Sequence, residues 1–146
     1  MAGIFDAHIR VAAKSIAPGA SADSSYTENV VILPANAYVL AYFGRVKTAF
    51  AGLTKPLVSL GVSGDTDRYM RAQPVDAVNE FVFWATPKAH DPILGVSKWC
   101  VKMDKEKIAI SAQPVIATFT SSSTDFSGKT AGEVEFVVVY VDCNEY

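Results

Sequence analysis

His8 and His90 are the two histidines of this 146-residue chain, and Cys100 and Cys143 are its two cysteines. These side chains could serve as general base, nucleophile or soft metal ligand, and their spacing decides whether they do. A serine hydrolase needs a base within hydrogen-bond reach of a nucleophile, which in one large class sits on a strand-to-helix elbow. No Gly-x-Ser-x-Gly elbow occurs. Gly61-Val62-Ser63-Gly64 has the look without the spacing, and no helix of adequate length follows it. His8 belongs to the polar set of an alternating stretch, and His90 sits in the turn-like Pro87-Lys88-Ala89-His90-Asp91-Pro92. Both read as solvated surface residues. Neither cysteine lies in a strand-to-helix turn that would lower its pKa. The four residues are too dispersed to build a zinc site. The cysteines read as packed thiols, and the sequence leaves open whether they pair.

The carboxylates offer two further candidates. Asp65-Thr66-Asp67 places alternate acids as part of a calcium loop does, but the other EF-hand positions and the distal glutamate do not match. A capped turn explains it. Glu133 and Glu135 share one strand face about 7 Å apart, two residues' rise. That separation suits an inverting glycosidase, whose carboxyls stand about 6.5–9.5 Å apart. Two acids on the polar face of an alternating strand also describe a solvated surface, which is the preferred reading. Neither a Walker pattern nor GxGxxG is present to cradle phosphate. Tyr26, Tyr38, Tyr42, Tyr69, Trp84 and Trp99 could stack on a sugar or peptide, but most fall beside Val, Ile and Phe and read as core or subunit interface. No catalytic, cofactor-binding or metal-binding residue is assigned, and no cofactor is expected.

Bulk properties narrow the class. A chain of this length is most simply one domain, able to bury roughly 68–70% of its extended surface without staples. Half of its residues are hydrophobic and 19% are charged, which excludes disorder and leaves apolar surface for another subunit. A net charge of -2 argues against electrostatically driven nucleic-acid binding. Met1-Ala2-Gly3-Ile4-Phe5-Asp6 lacks the basic start and apolar run of a signal peptide. No window approaches the ~20 apolar residues of a membrane helix. Synthesis in a cytoplasm without secretion, with no membrane partner, is expected.

The elements that must position any site are strands. Phe5, Ala7, Ile9, Val11 and Ala13 alternate with mostly polar neighbours and predict a half-buried strand. Ala17 to Ser25 is a small, polar, Pro/Gly-bearing connection. Strands follow at Tyr26 to Leu33, Tyr38 to Lys47, Leu57 to Leu60, Glu80 to Thr86 and Pro114 to Thr120. Lys98 to Met103 and Lys107 to Ala112 read as a hairpin across Asp104-Lys105-Glu106. Gly44 is a candidate bulge, Thr48 to Pro56 reads as a loop, and Asp65 to Arg71 as one capped helical turn. Ser121 to Gly132 is a second polar connection before a last strand, Glu133 to Asp142. Val137-Val138-Val139-Tyr140-Val141 is apolar on both faces, so that strand lies centrally or under another chain. About eight short strands with little helical periodicity predict an all-β fold. The expectation is a single β-sandwich or jelly-roll-like domain over 26–146, preceded by an extended N-terminal arm and linker over 1–25.

Leu33-Pro34-Ala35-Asn36-Ala37, Thr48-Ala49-Phe50-Ala51-Gly52 and Leu57-Val58-Ser59-Leu60-Gly61 stand in order before Gly64-Asp65-Thr66-Asp67-Arg68-Tyr69-Met70. With the closing run from Gly132 to Asp142, this pattern resembles small structural proteins of tailed-bacteriophage virions. The resemblance implies a non-enzymatic, capsid-associated role such as decoration (cement), head-fibre base or tail component. It implies as partners the major capsid protein or another virion protein, and further copies of the chain in a homo-oligomer, with a trimer as one form. It carries over no site residues. The alternative is a carbohydrate- or receptor-binding β-sandwich module of a virion. A jelly-roll hydrolase is the weakest reading, because base and nucleophile are missing.

Overall fold

Strands make up most of the residues described in a computed structural model, which are 9–35, 37–84, 108–109, 112–122 and 125–142. The strands are β1 (Ile9–Ile16), β2 (Ser25–Leu33), β3 (Ala37–Ala51), β4 (Leu57–Val62), β5 (Asp65–Pro74), β6 (Glu80–Trp84), β7 (Ile108–Ala109), β8 (Gln113–Thr120) and β9 (Ala131–Asp142). They form two antiparallel sheets, ordered β1-β9-β3-β6 with β7 also on β3, and β2-β8-β4-β5. The expected all-β sandwich is the fold observed. Ile9–Ile16, within the stretch assigned to an arm, pairs along its whole length with β9.

The two sheets meet through side chains that alternate inward. Leu33, Val39, Val46, Val58, Leu60 and Val134 are each fully buried. Phe119 of β8 sits at the centre, stacked on Phe50 of β3 at 5.5 Å and edge-on to Phe136 of β9 at 6.4 Å. β3 is 15 residues long and bends over this core at three register shifts, near Val39/Ala41, Val46/Thr48 and Thr48/Ala51. An extra residue in one strand tightens its twist, so a strand of this length can follow a curved core. Gly44 is not one of these sites: it stands in regular register opposite Phe136.

Four local readings change. Thr48 to Pro56 is not all loop, because β3 continues to Ala51, paired with Ala131. Asp65 to Arg71 is strand and not a helical turn. A two-residue Ser63-Gly64 turn, with Gly64 at φ 83°, reverses β4 directly into β5. Positive φ at the turn suits a tight hairpin, and a helix has no room to start there. The polar connection after Thr120 hides a core residue: Phe126, in a 3-10 turn at Phe126–Gly128, is fully buried. The Asp125 carboxylate caps that turn by accepting from the Ser127 amide at 2.9 Å and from the Ser127 hydroxyl. The fourth change is the orientation of β1. Its apolar set points outward, with Ile9 54% and Val11 66% exposed, while Ile16 of the alternate set is buried. Of the proposed hairpin from Lys98 to Ala112, Ile108–Ala109 is described and pairs with Ala37–Tyr38; Lys98 to Met103 lies outside the described residues.

A polar latch joins β1 to β2 between the sheets. Lys14 Nζ lies 3.1 Å from a Glu28 carboxylate oxygen and donates to the Asn29 carbonyl at 2.8 Å. The Tyr26 hydroxyl donates to Glu28 Oε1 at 2.6 Å. The tyrosine hydrogen bond, the largest influence, holds the Glu28 carboxyl below its ordinary range; desolvation opposes it, and the bond and charge of Lys14 add to it. A folded-state pKa below the unfolded one means stability that is present above the unfolded carboxylate pKa and lost as pH falls through the folded one. Wild-type urea midpoints should therefore fall more steeply than those of Glu28→Gln as pH drops below about 4.5. Parallel pH profiles for the two proteins would show that the latch adds no stability.

Candidate docking surface

Strand register places the outward residues of β1, β9 and β3 in rows. Val11 stands opposite Val139, Ala13 opposite Val137, and Val137 opposite Phe43. Ile9 stands opposite Val141 at the end of the same face. The inward neighbours of these residues, Val138 and Phe136, are buried in the core, so the outward valines form a second apolar surface on the same strand. Val137, Val139, Val141 and Phe43 are each partly exposed. Large contiguous apolar patches are a common mark of interaction sites, which makes this face the candidate. The sequence signal was the unbroken apolar run of β9. The signal from β1 was read with the wrong face buried.

Charge bounds the apolar rows at one end. Arg45 Nη2 lies 3.5 Å from Glu135 Oε1, and Lys47 Nζ lies 3.3 Å from Glu133 Oε1, each pair bridging β3 and β9. The two glutamates weighed as a glycosidase pair are thus each matched with a cation on a sheet face. Exposed pairs like these contribute little stability, a median of about 0–1 kcal/mol. Their geometry fits an aligned polar border and gives no acid a role in bond cleavage.

The other candidates fall elsewhere. Asp65 Oδ2 accepts from Arg68 Nε at 3.1 Å, so one acid of the Asp65-Thr66-Asp67 motif is taken up within β5. No cluster of three or more metal-ligating side chains occurs among the described residues. Tyr42 and Tyr69 meet inside the core with ring centroids 5.9 Å apart. Burial pushes both phenols above their ordinary pKa. Tyr26 packs on Phe119 at 6.3 Å. Tyr42 and Tyr69 are thus core residues and Tyr26, partly buried, packs against the core, so the three do not form an exposed stacking platform. His8, His90, Cys100 and Cys143 lie outside the described residues, as do the side chains of Tyr38, Trp84 and Trp99.

No protein-family model matches the chain, and no curated protein matches it. Solved structures do. A chain in the acid-stable capsid of Helicobacter pylori bacteriophage KHP30 is similar at TM-score 0.57 and 15% identity, over 93% of this chain and 89% of that one. A chain in the capsid asymmetric unit of cyanophage Pam1 is similar at TM-score 0.57 and 13% identity, over 97% and 89%. A chain in the capsid of Ralstonia phage GP4 is similar at TM-score 0.51 and 16% identity, over 97% and 90%. Near-complete coverage on both sides means that the similar chains are close to this one in size. The virion resemblance read from strands and turns is therefore matched in three dimensions, by fold: the chains that share this sandwich almost end to end come from bacteriophage capsids.

Proposed function

We propose that this chain is a non-enzymatic structural protein of a bacteriophage virion, a capsid decoration (cement) protein that binds the capsid lattice and associates with copies of itself. The observation that carries the reading is the end-to-end likeness to capsid chains of similar size. The outward apolar face of β1, β9 and β3 supports it, because a decoration protein acts through surfaces it buries against neighbours. The residues before β2 are its proposed arm. In this reading β1 is a strand of that arm, and the major capsid protein or another virion protein is the partner beneath. The virion is then its location, and assembly takes place in the host cytoplasm.

Shells of the encoding phage, assembled without this protein, provide the test. Purified protein should co-sediment with them at a saturating ratio fixed by the lattice, appear as ordered density at equivalent lattice points, and raise the temperature at which the shell comes apart. Binding to the shell but not to its dissociated subunits must stabilise it in this way. Failure to co-sediment, or binding without lattice order, would overturn the proposal.

A further inference from the structure

The two sheets present four edges among the described residues: β1, β2, β5, and the edge shared by β6 and β7. Open edges invite pairing, and proteins blunt them with charge, proline, bulges or short length. Three of these edges are blunted. β5 carries Asp65, Asp67, Arg68 and Arg71 and ends in Pro74. β2 is interrupted by a bulge between Asn29 and Val31, and its Asn29 carbonyl already accepts from Lys14. The far edge of the first sheet is divided between a five-residue and a two-residue strand.

β1 is the least protected of the four: it carries two cations, Arg10 and Lys14, but neither proline nor a bulge. It is eight residues long without proline or glycine, and its register with β9 runs unbroken from Ile9↔Val141 to Ile16↔Val134. Its cations, Arg10 and Lys14, belong to the alternate set, so its outward set is Ile9, Val11, Ala13 and Ser15. A strand left open in this way, with exposed apolar side chains along it, is built to be extended.

We propose that β1 pairs with β1 of a second copy of this chain, joining the two β1-bearing sheets into one across a two-fold axis. The edge inventory selects the occupant. A head-to-tail contact needs a second receptive edge on the neighbour, and the other three are blunted. Among the described residues, the edge on another copy best able to accept β1 is β1 itself, and a strand paired antiparallel with its own copy gives an isologous, closed contact. This deepens the decoration reading by naming how copies associate. It favours a two-fold pair over the trimer that the resemblance allows.

Sedimentation of the full-length chain over a concentration series, with amide hydrogen exchange on the same samples, tests the pairing. The wild type should dimerise, and on dimerisation the alternate β1 amides not bonded to β9 should slow in exchange. Val11→Lys places a charge on the outward face of β1 and should weaken the dimer about tenfold or more. Val11 is 66% exposed, so the thermal midpoint should hold; Ile9→Lys serves if Val11→Lys fails to fold. A wild type that stays monomeric, or a dimer whose β1 amides exchange as freely as the monomer's, overturns the pairing. A monomer that still decorates shells overturns the pairing and leaves the virion role standing. A β1-paired dimer that ignores shells upholds the pairing and removes that role.

Discussion

Phe119→Ala is expected to destabilise the domain by about 3–5 kcal/mol, the usual cost of deleting a buried aromatic ring. Phe119 is 1% exposed and sits between both sheets. Its ring meets Phe50 and Phe136 of one sheet and Tyr26 of its own. The surroundings of such a deletion relax only partly, so some of the void remains. Domains are typically stable by about 5–15 kcal/mol, so this one change would remove a large share of the total. The check is a urea unfolding curve with a lowered midpoint and an unchanged slope. A loss below about 1 kcal/mol would mean that Phe119 does not hold the sheets together.

Gly52→Ala should rank next. Gly52 follows β3 at φ 82°, a conformation that costs an L-residue roughly 1–2 kcal/mol. A Cβ there would also meet backbone: 1.9 Å from the Gly128 carbonyl oxygen, 2.8 Å from its carbon and 3.2 Å from the Thr130 nitrogen. Backbone cannot swing aside as a side chain can. This crossing is also held by the Thr130 amide donating to the Ala51 carbonyl at 3.0 Å, so relief would displace the 3-10 turn and buried Phe126. Gly64 supplies the control, since it has φ 83° and open space around its missing Cβ. Gly64→Ala should cost about 1 kcal/mol or slightly more, and Gly52→Ala at least about 2 kcal/mol. Equal thermal midpoints for the two variants would contradict the argument from close approach.

Strands whose inner residues alternate cleanly were legible in the residues themselves. β8 and β9 appear within two residues of where their composition places them, because their buried Val, Ala and Phe recur at period two; β2 is equally well placed by its apolar run, although a bulge between Asn29 and Val31 breaks its period. β5 was not legible, because its own bulges against β4 break that period. Tyr69 and Met70 are neighbours and both are buried, which no regular strand predicts. With the period lost, Asp65 and Thr66 look like a helix cap.

β1 failed for a different reason. Alternation states that two faces differ, but not which one meets the core. Ile16 and the Lys14–Glu28 latch settle that choice through contacts with β2, and these form only once both sheets exist. Phe126 was hidden by its polar neighbours, since one aromatic among Ser, Thr and Gly carries no period. The docking surface was half legible. The all-apolar run in β9 marked a strand wanted on both faces, whereas the pairing of β1 with β9 joins the two extremes of the described chain.

That last pairing has a mechanical meaning. Ile9 is the direct cross-strand partner of Val141, so the two ends of the described chain leave the sandwich side by side. Tension applied between them would peel β1 from β9 like a zipper. Each hydrogen-bonded pair would carry the load in turn, and none would share it with the rest. Tension carried across the sheet through β3 would load the ladder in shear, where many pairs resist together. A load applied between those two ends would therefore meet a compliant corner, and one applied through β3 a stiff body.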